Sequence, residues 1–287
     1  MISLIICSRD FYQLEQVKKN VQATIGIPYE IIAIDNSQGQ YGICEAYNIG
    51  AFRAKYEYLC FMHEDLKFHT QDWGAIVANT LADPDVGVLG VAGGTYQAKA
   101  PAGWTGGGAD TLRINVLHTT KHSVAQYDHW NPDAEKTAEV ATLDGLWLCC
   151  RKAVWQEFPF DSEHFPHFHF YDIDFCSRVQ TKYKNLVTFE LLIEHFSMGT
   201  YGADWLHNAV NYYKRWKDRL PFGVITVDQT EIKKRQLVSF QHIVRMMLDF
   251  RVSAGDVVYS LGQCLALDFG NRDTWWLVKQ HLKKATK

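Results

Sequence analysis

No one sign of charge dominates this chain: 29 basic against 32 acidic side chains leave a formal net charge of -3 over 287 residues. Proteins that coat nucleic acid need a basic field, so no nucleic-acid partner is expected and ligands are sought in a pocket. A glycine-rich loop after the first strand is also missing. Ser8-Arg9-Asp10-Phe11 stands where a dinucleotide oxidoreductase carries Gly-x-Gly-x-x-Gly and where a nucleotidyltransferase carries glycines with a basic residue. The seven cysteines form no zinc spacing. Cys7, Cys60, Cys149 and Cys150 lie in apolar runs instead, as buried thiols of a reducing compartment do. The apolar start, Met1 to Cys7, has no basic leader and is interrupted at Ser8-Arg9-Asp10, which speaks against a signal peptide or membrane span and for a cytoplasmic protein. With 47% hydrophobic and 21% charged residues, disorder is excluded, and the length fits one large domain or one domain with an appendage.

What is present begins as alternation. Ile2 to Cys7 reads as a strand, and Leu14, Val17 and Val21 give Phe11 to Thr24 a helical spacing. Tyr29 to Ile34 is a second strand, closing on the turn cluster Asp35-Asn36-Ser37-Gln38-Gly39. A helix over Ile43 to Lys55 leads into the buried strand Tyr58 to Met62. This β-α-β-α-β order implies a mainly parallel sheet with right-handed crossovers, whose carboxyl edge gathers Ser8-Arg9, Asp35-Asn36 and His63-Glu64-Asp65. The last triplet joins hard oxygen ligands to an imidazole, a set able to hold a divalent cation against phosphate. Strand alternation places His63 and Asp65 on one face and Glu64 on the other.

Further along, Trp73 to Leu81 reads as a helix and Val86 to Ala92 as a strand. Thr95 to Ala138 reads as irregular, with a single strand at Leu112 to Leu117, and fits either a binding lid or a surface insertion. Val140 to Cys150 reads as one strand carrying Asp144 beside Gly145, a place for close approach of backbone or ligand. In Tyr171-Asp172-Ile173-Asp174, one acid is expected to cap the following helix while the other stays free. Leu186 to Ile193 is the last strand, with Glu194-His195-Phe196-Ser197-Met198-Gly199 at its end. From Ala203 onward four helices are expected, over 205–220, 229–250, 254–267 and 272–285. The last pairs Trp275 and Trp276 with Lys279, Lys283 and Lys284, and either docks on its own domain or rests on a membrane surface.

Taken in order, Ser3 to Arg9, Glu30 to Ser37, Ala46 to Gly50, Phe61 to Asp65, Leu143-Asp144-Gly145, Tyr171 to Phe175 and Glu194 to Ser197 resemble a family-2 glycosyltransferase of the GT-A fold. The nearest likeness is to bacterial glycosyltransferase-like proteins associated with capsule and surface polysaccharides. The resemblance covers residues 1–220, which implies a glycosyltransferase domain there and a helical extension over 221–287. The implied fold is α/β: a Rossmann-like, mixed, mainly parallel sheet flanked by helices. The implied activity is metal-dependent, inverting transfer of a sugar from a nucleotide-diphosphate donor to a glycan or lipid-linked glycan acceptor, with Mn2+ or Mg2+ as cofactor.

Residue by residue, the resemblance implies that Asp35 recognises the nucleotide base with Ser8, Arg9 and Asn36 nearby. It groups Asn48, His63, Glu64 and Asp144 with the nucleotide-sugar contacts, and makes Asp65 and His195 the metal ligands. Asp172 is implied as the base, with Asp174 as the alternative. Two positions depart from the family pattern: His63 stands for the first aspartate of Asp-x-Asp, and Tyr171 for a glutamate. These departures keep a second reading open, a non-catalytic protein of the same fold that binds sugar nucleotides or glycans.

Overall fold

The computed structural model describes residues 1–120, 125–197, 199, 201–250 and 252–285. Residues 121–124, inside the segment read as irregular, and Met198, inside the last strand-end run, lie outside the described residues, as do 200, 251, 286 and 287. The chain forms two compact units: Met1–Thr95 with Leu112–Gly199, and Tyr96–Thr111 with Thr200–Lys287.

In chain order the elements are β1 (Ile2–Ser8), α1 (Phe11–Thr24), β2 (Tyr29–Asp35), α2 (Ile43–Arg53), β3 (Tyr58–Met62), β4 (Leu66–Phe68), α3 (Trp73–Leu81), β5 (Val86–Gly90), β6 (Ala92–Gly94) and β7 (Tyr96–Gln97). They continue with β8 (Leu112–His118), β9 (Gln126–Trp130), β10 (Thr137–Val140), β11 (Thr142–Leu143), β12 (Trp147–Arg151), α4 (Lys152–Glu157), α5 (Tyr171–Val179), β13 (Lys184–Thr188) and β14 (Ile193–His195). The chain closes with α6 (Ala203–Trp216), β15 (Phe222–Gly223), α7 (Gln229–Phe250), α8 (Ala254–Leu267) and α9 (Arg272–Ala285).

The first unit is built on a seven-stranded sheet in the order β10-β13-β5-β12-β3-β1-β2. Strands β2, β1 and β3 are parallel, and so are β5 and β13, while β12 and β10 run against their neighbours. This is the mixed, mainly parallel sheet expected. Nearly all of β1 and β3 is buried, as their unbroken apolar runs require of strands covered on both faces. Each fully buried side chain such as Leu59, Phe61 or Met62 contributes roughly 1.5–3 kcal/mol. That burial anchors β3 firmly enough for the chain to end it in three ionisable residues. Asp10 caps α1, its Oδ1 accepting from the N–H groups of Tyr12 and Gln13. Helix α2 lies close on β1: a Cβ at Gly50 would stand 2.3 Å from Ile5, so only glycine fits there.

A second, six-stranded sheet runs β11-β6-β8-β14-β4, with β9 against β8. Here the outcome departs from the sequence reading. The segment read as irregular contributes β9 beside β8, the one strand expected there, and the single strand expected over Val140 to Cys150 is three strands, with Asp144 and Gly145 in the bend between β11 and β12. Leu186 to Ile193 likewise divides between β13 and β14. Cys60 and Cys149 lie opposite each other on β3 and β12 with their sulfurs in contact. The other five cysteines are free.

The second unit is helical. Leu206, Val210, Ile243, Val244, Met247, Leu261 and Leu277 form its core, drawn from α6, α7, α8 and α9. Arg235 on α7 reaches Asp110 at 2.6 Å and the Gly107 carbonyl, tying the 96–111 segment to this bundle. Helix α6 buries its apolar face in that core and so belongs to this second unit. No helix among the described residues is long and apolar enough to cross a membrane.

Candidate functional site

Beyond β3 the backbone leaves the strand, and in the connection to β4 Glu64 parts from His63 and Asp65. Glu64 turns toward β1: its carboxylate accepts from Ser8 Oγ at 2.6 Å and from the backbone N–H groups of Arg9 and Asp10. It thereby fixes the β1–α1 turn. Asp65 faces the other way, with Oδ2 3.4 Å from His195 Nε2 and Oδ1 4.0 Å from His63 Nδ1. His195 arrives at the end of β14, which pairs with β4 so that His195 lies opposite Leu66. One potential ligand atom from each of His63, Asp65 and His195 lies within 4.8 Å of the other two.

The electrostatics of this trio suit a cation. Burial opposes ionisation of Asp65, but the His195 hydrogen bond and both imidazoles outweigh it and hold the carboxyl below its ordinary value. Burial pushes the His63 imidazole down against the pull of Asp65, which keeps a nitrogen lone pair for a metal. Two imidazoles and one carboxylate form a mixed N/O donor set able to hold a divalent cation.

Next to His63 stands the start of α5. The Tyr171 hydroxyl lies 3.1 Å from His63 Nε2 and donates to the Gly145 carbonyl at 2.9 Å. Gly145 is obligatory, since a Cβ there would stand 2.2 Å from the Tyr171 oxygen. Phe170, immediately before, sits at φ 66, a left-handed conformation costing a non-glycine residue about 1–2 kcal/mol. That strain falls at the entry to Tyr171 and Asp172. Asp172 is partly buried; burial first, and the neighbouring Asp144 carboxylate second, push it up to about 7, while N–H groups including Ile173 pull the other way.

Neither acid caps α5, whose N-cap residue is Phe170. Asp174 is 1% exposed and bonds Arg178 Nε at 2.7 Å within the helix. Asn48 is likewise occupied: its amide donates to the Phe160 carbonyl and accepts from Trp155 Nε1 and the Phe160 N–H, joining α2 to the chain after α4. At the β1–β2 edge, Ser8 pairs in register with Asp35. Asp35 is exposed and its Oδ1 accepts from the Ser37 N–H, a bond that lowers its pKa. Asn36 is buried and bonds both the N–H and the carbonyl of Tyr41. The structure therefore gathers His63, Asp65, His195, Asp144 and Asp172 at one corner, sets Ser8, Arg9 and Asp35 along the adjoining edge, and leaves Asn36, Asn48 and Asp174 in packed positions.

Two features were not read from the sequence. His118 ends β8 opposite His195, with ring centroids 5.7 Å apart and its Nε2 3.6 Å from Asp128. A cavity of about 740 Å³ opens beside Asp65, lined by Tyr12, Gln13 and Lys19 of α1 together with Lys67, Thr119 and Phe196. Both depend on β14 lying between β4 and β8, a pairing with no local sequence signal.

Residues 3–210 match a family described as "Glycosyltransferase like family". The chain belongs to that family. This glycosyltransferase-like chain matches no curated protein. Among solved structures it is similar to GalNAc-T7 crystallised with UDP, GalNAc and Mn2+, at a TM-score of 0.53 and 11% identity, over 83% of this chain and 54% of that one. It thus spans about half of that chain, and the likeness is one of fold, the GT-A glycosyltransferase architecture. A protein from STIV aligns at a TM-score of 0.41 and 14% identity, over 68% of this chain and 85% of its own.

Proposed function

We propose that this protein is a metal-dependent inverting glycosyltransferase that moves a hexosyl group from a nucleotide-diphosphate donor to a hydroxyl of a glycan or lipid-linked glycan, in surface polysaccharide synthesis. The observation that carries the reading is the juxtaposition of a three-ligand cluster, His63, Asp65 and His195, with a corner holding a carboxyl that titrates near neutrality, Asp172. GalNAc-T7 carries UDP and Mn2+ on the same fold, which makes a UDP-sugar with Mn2+ the first donor to try.

Asp172 acts as the base. A carboxyl pushed up to about 7 takes a proton from an acceptor hydroxyl more readily than one at the usual value, because desolvation has destabilised its charged form. Asp65, His63 and His195 would hold the cation, which would supply positive charge to offset that of the departing diphosphate. Asp35 and Arg9, exposed at the β1–β2 edge, contact the nucleotide. Direct attack from the side opposite the leaving group gives inversion. Membrane contact through α9, which exposes Trp275, Trp276 and Leu282 beside its lysines, would bring the enzyme to a lipid-linked acceptor.

The alternative is a binding protein of the same fold, favoured by the absence of an acid at position 171. Incubation of UDP-hexoses with Mn2+, with and without glycan acceptors, separates the two. Slow donor hydrolysis that disappears in Asp172→Asn supports the enzyme; a metal-dependent rise in melting temperature with no release of UDP supports the binding protein.

A further inference from the structure

Resting on His63 as a metal ligand, we propose that Tyr171 is a positioning residue: it holds His63 in one tautomer, hydrogen on Nε2, so that the bare Nδ1 is presented to the cation. A phenol has a single proton. The Gly145 carbonyl can only accept, so the 2.9 Å bond between it and the Tyr171 oxygen uses that proton. Toward His63, 3.1 Å away, the same oxygen has only lone pairs to offer. His63 Nε2 must therefore be the donor, which leaves Nδ1 unprotonated in the neutral ring. Nδ1 is also the ring nitrogen nearer Asp65, at 4.0 Å, and Asp65 is the residue that meets His195.

The chain from carbonyl to phenol to imidazole is held by packing. Tyr171 is 4% exposed, with its ring against Tyr47 and Phe160. Gly145 leaves no space between its backbone and the hydroxyl, and the left-handed Phe170 fixes where Tyr171 enters. Metal-bound histidines regularly give their second N–H to an oxygen, which sets the ring's orientation and tautomer. The phenol does so without adding a third carboxylate beside Asp144 and Asp172. The departure at position 171 and the departure at position 63 are thus one arrangement: a histidine ligand and the hydroxyl that orients it.

Long-range 1H–15N correlation spectra of histidine-labelled protein without metal, together with Mn2+ titrations, test the assignment. In the wild type His63 is expected as the neutral tautomer protonated on Nε2. In Tyr171→Phe, which keeps the ring and removes the oxygen, the His63 nitrogens should shift toward a mixture of tautomers and the Mn2+ Kd should rise by about tenfold. A wild-type His63 protonated on Nδ1 overturns the proposal by itself, even if the variant does not fold. Wild-type protein that binds no Mn2+ sinks the metal reading. Wild-type protein that binds Mn2+, with Tyr171→Phe binding equally well and its His63 signals unmoved, leaves the metal reading standing and overturns the role of Tyr171.

Discussion

Asp35 and Asp65 stand at the ends of two strands that flank β1, yet their surroundings are opposite. Asp35 is served by its own turn, through the N–H of Ser37 two residues on, and stays in solvent. Asp65 is partly buried and is answered by imidazoles, one of them brought from β14 far along the chain. The first arrangement leaves an oxygen facing outward for a ligand in water. The second gathers donors that a cation can bridge. Helix α5 repeats the lesson over a shorter distance: Asp174 is neutralised in the interior by Arg178, whereas Asp172 shares its corner with Asp144 and is pushed up to about 7. An acid's use follows from what reaches it through space.

The sharpest way to break this comparison is substitution at the cluster. Asp65→Ala and Asp172→Asn should each lower turnover by about a thousandfold, in line with loss of a positioned general base or a metal ligand. Only Asp65→Ala should abolish the Mn2+-dependent rise in melting temperature; if Asp172→Asn abolishes it too, the two residues do not have separate roles. In the wild type, kcat/KM with Mn2+ should fall tenfold per pH unit below about 7, and a flat profile from pH 5 to 8 would remove Asp172 as the base.

Stability supplies a second contrast. Because the folded protein holds a proton on Asp172 up to about 7 while an unfolded chain releases it near the ordinary carboxyl value, wild-type stability should fall as pH rises through that window. Asparagine does not titrate, so Asp172→Asn should be the more stable protein above pH 7, by at most about 4 kcal/mol, and the gain should vanish near pH 4. Urea unfolding at the two pH values measures it. Asn48→Ala should cost about 1–3 kcal/mol by stranding Trp155 and Phe160 groups, with donor affinity unchanged. Changed donor affinity in a stable Asn48→Ala protein would return Asn48 to the site. The smallest effect should come from Asp35→Ala, about a tenfold rise in nucleotide Kd, read by calorimetry, with the Mn2+ dependence intact.

Much of the first unit was legible because its signals are local. The apolar runs of β1, β2 and β3 and the spacing of Leu14, Val17 and Val21 in α1 identify elements without reference to anything distant. Alternation then implied the parallel sheet. The bend at Asp144-Gly145 was misread because an apolar run does not reveal where a strand changes sheets. Asn48 looked like a ligand for a related reason: a motif shows that a polar residue matters, and here it matters because it bonds Phe160 and Trp155. The resemblance named Asp65 and His195 together, which no spacing could have done.

By itself the sequence determined the alternating α/β order, the acids and imidazole at the strand ends, the helices from Gln229 onward, and the family to which residues 3–210 belong. Each of these follows from side-chain period or residue order, which are properties of the chain before it folds. Only the tertiary structure decided that His195 meets Asp65, that Glu64 serves the β1–α1 turn, that Asp172 is lifted toward neutrality and that Tyr171 touches both Gly145 and His63. Those are distances and desolvations between residues remote in sequence, and they exist only once the sheets have assembled.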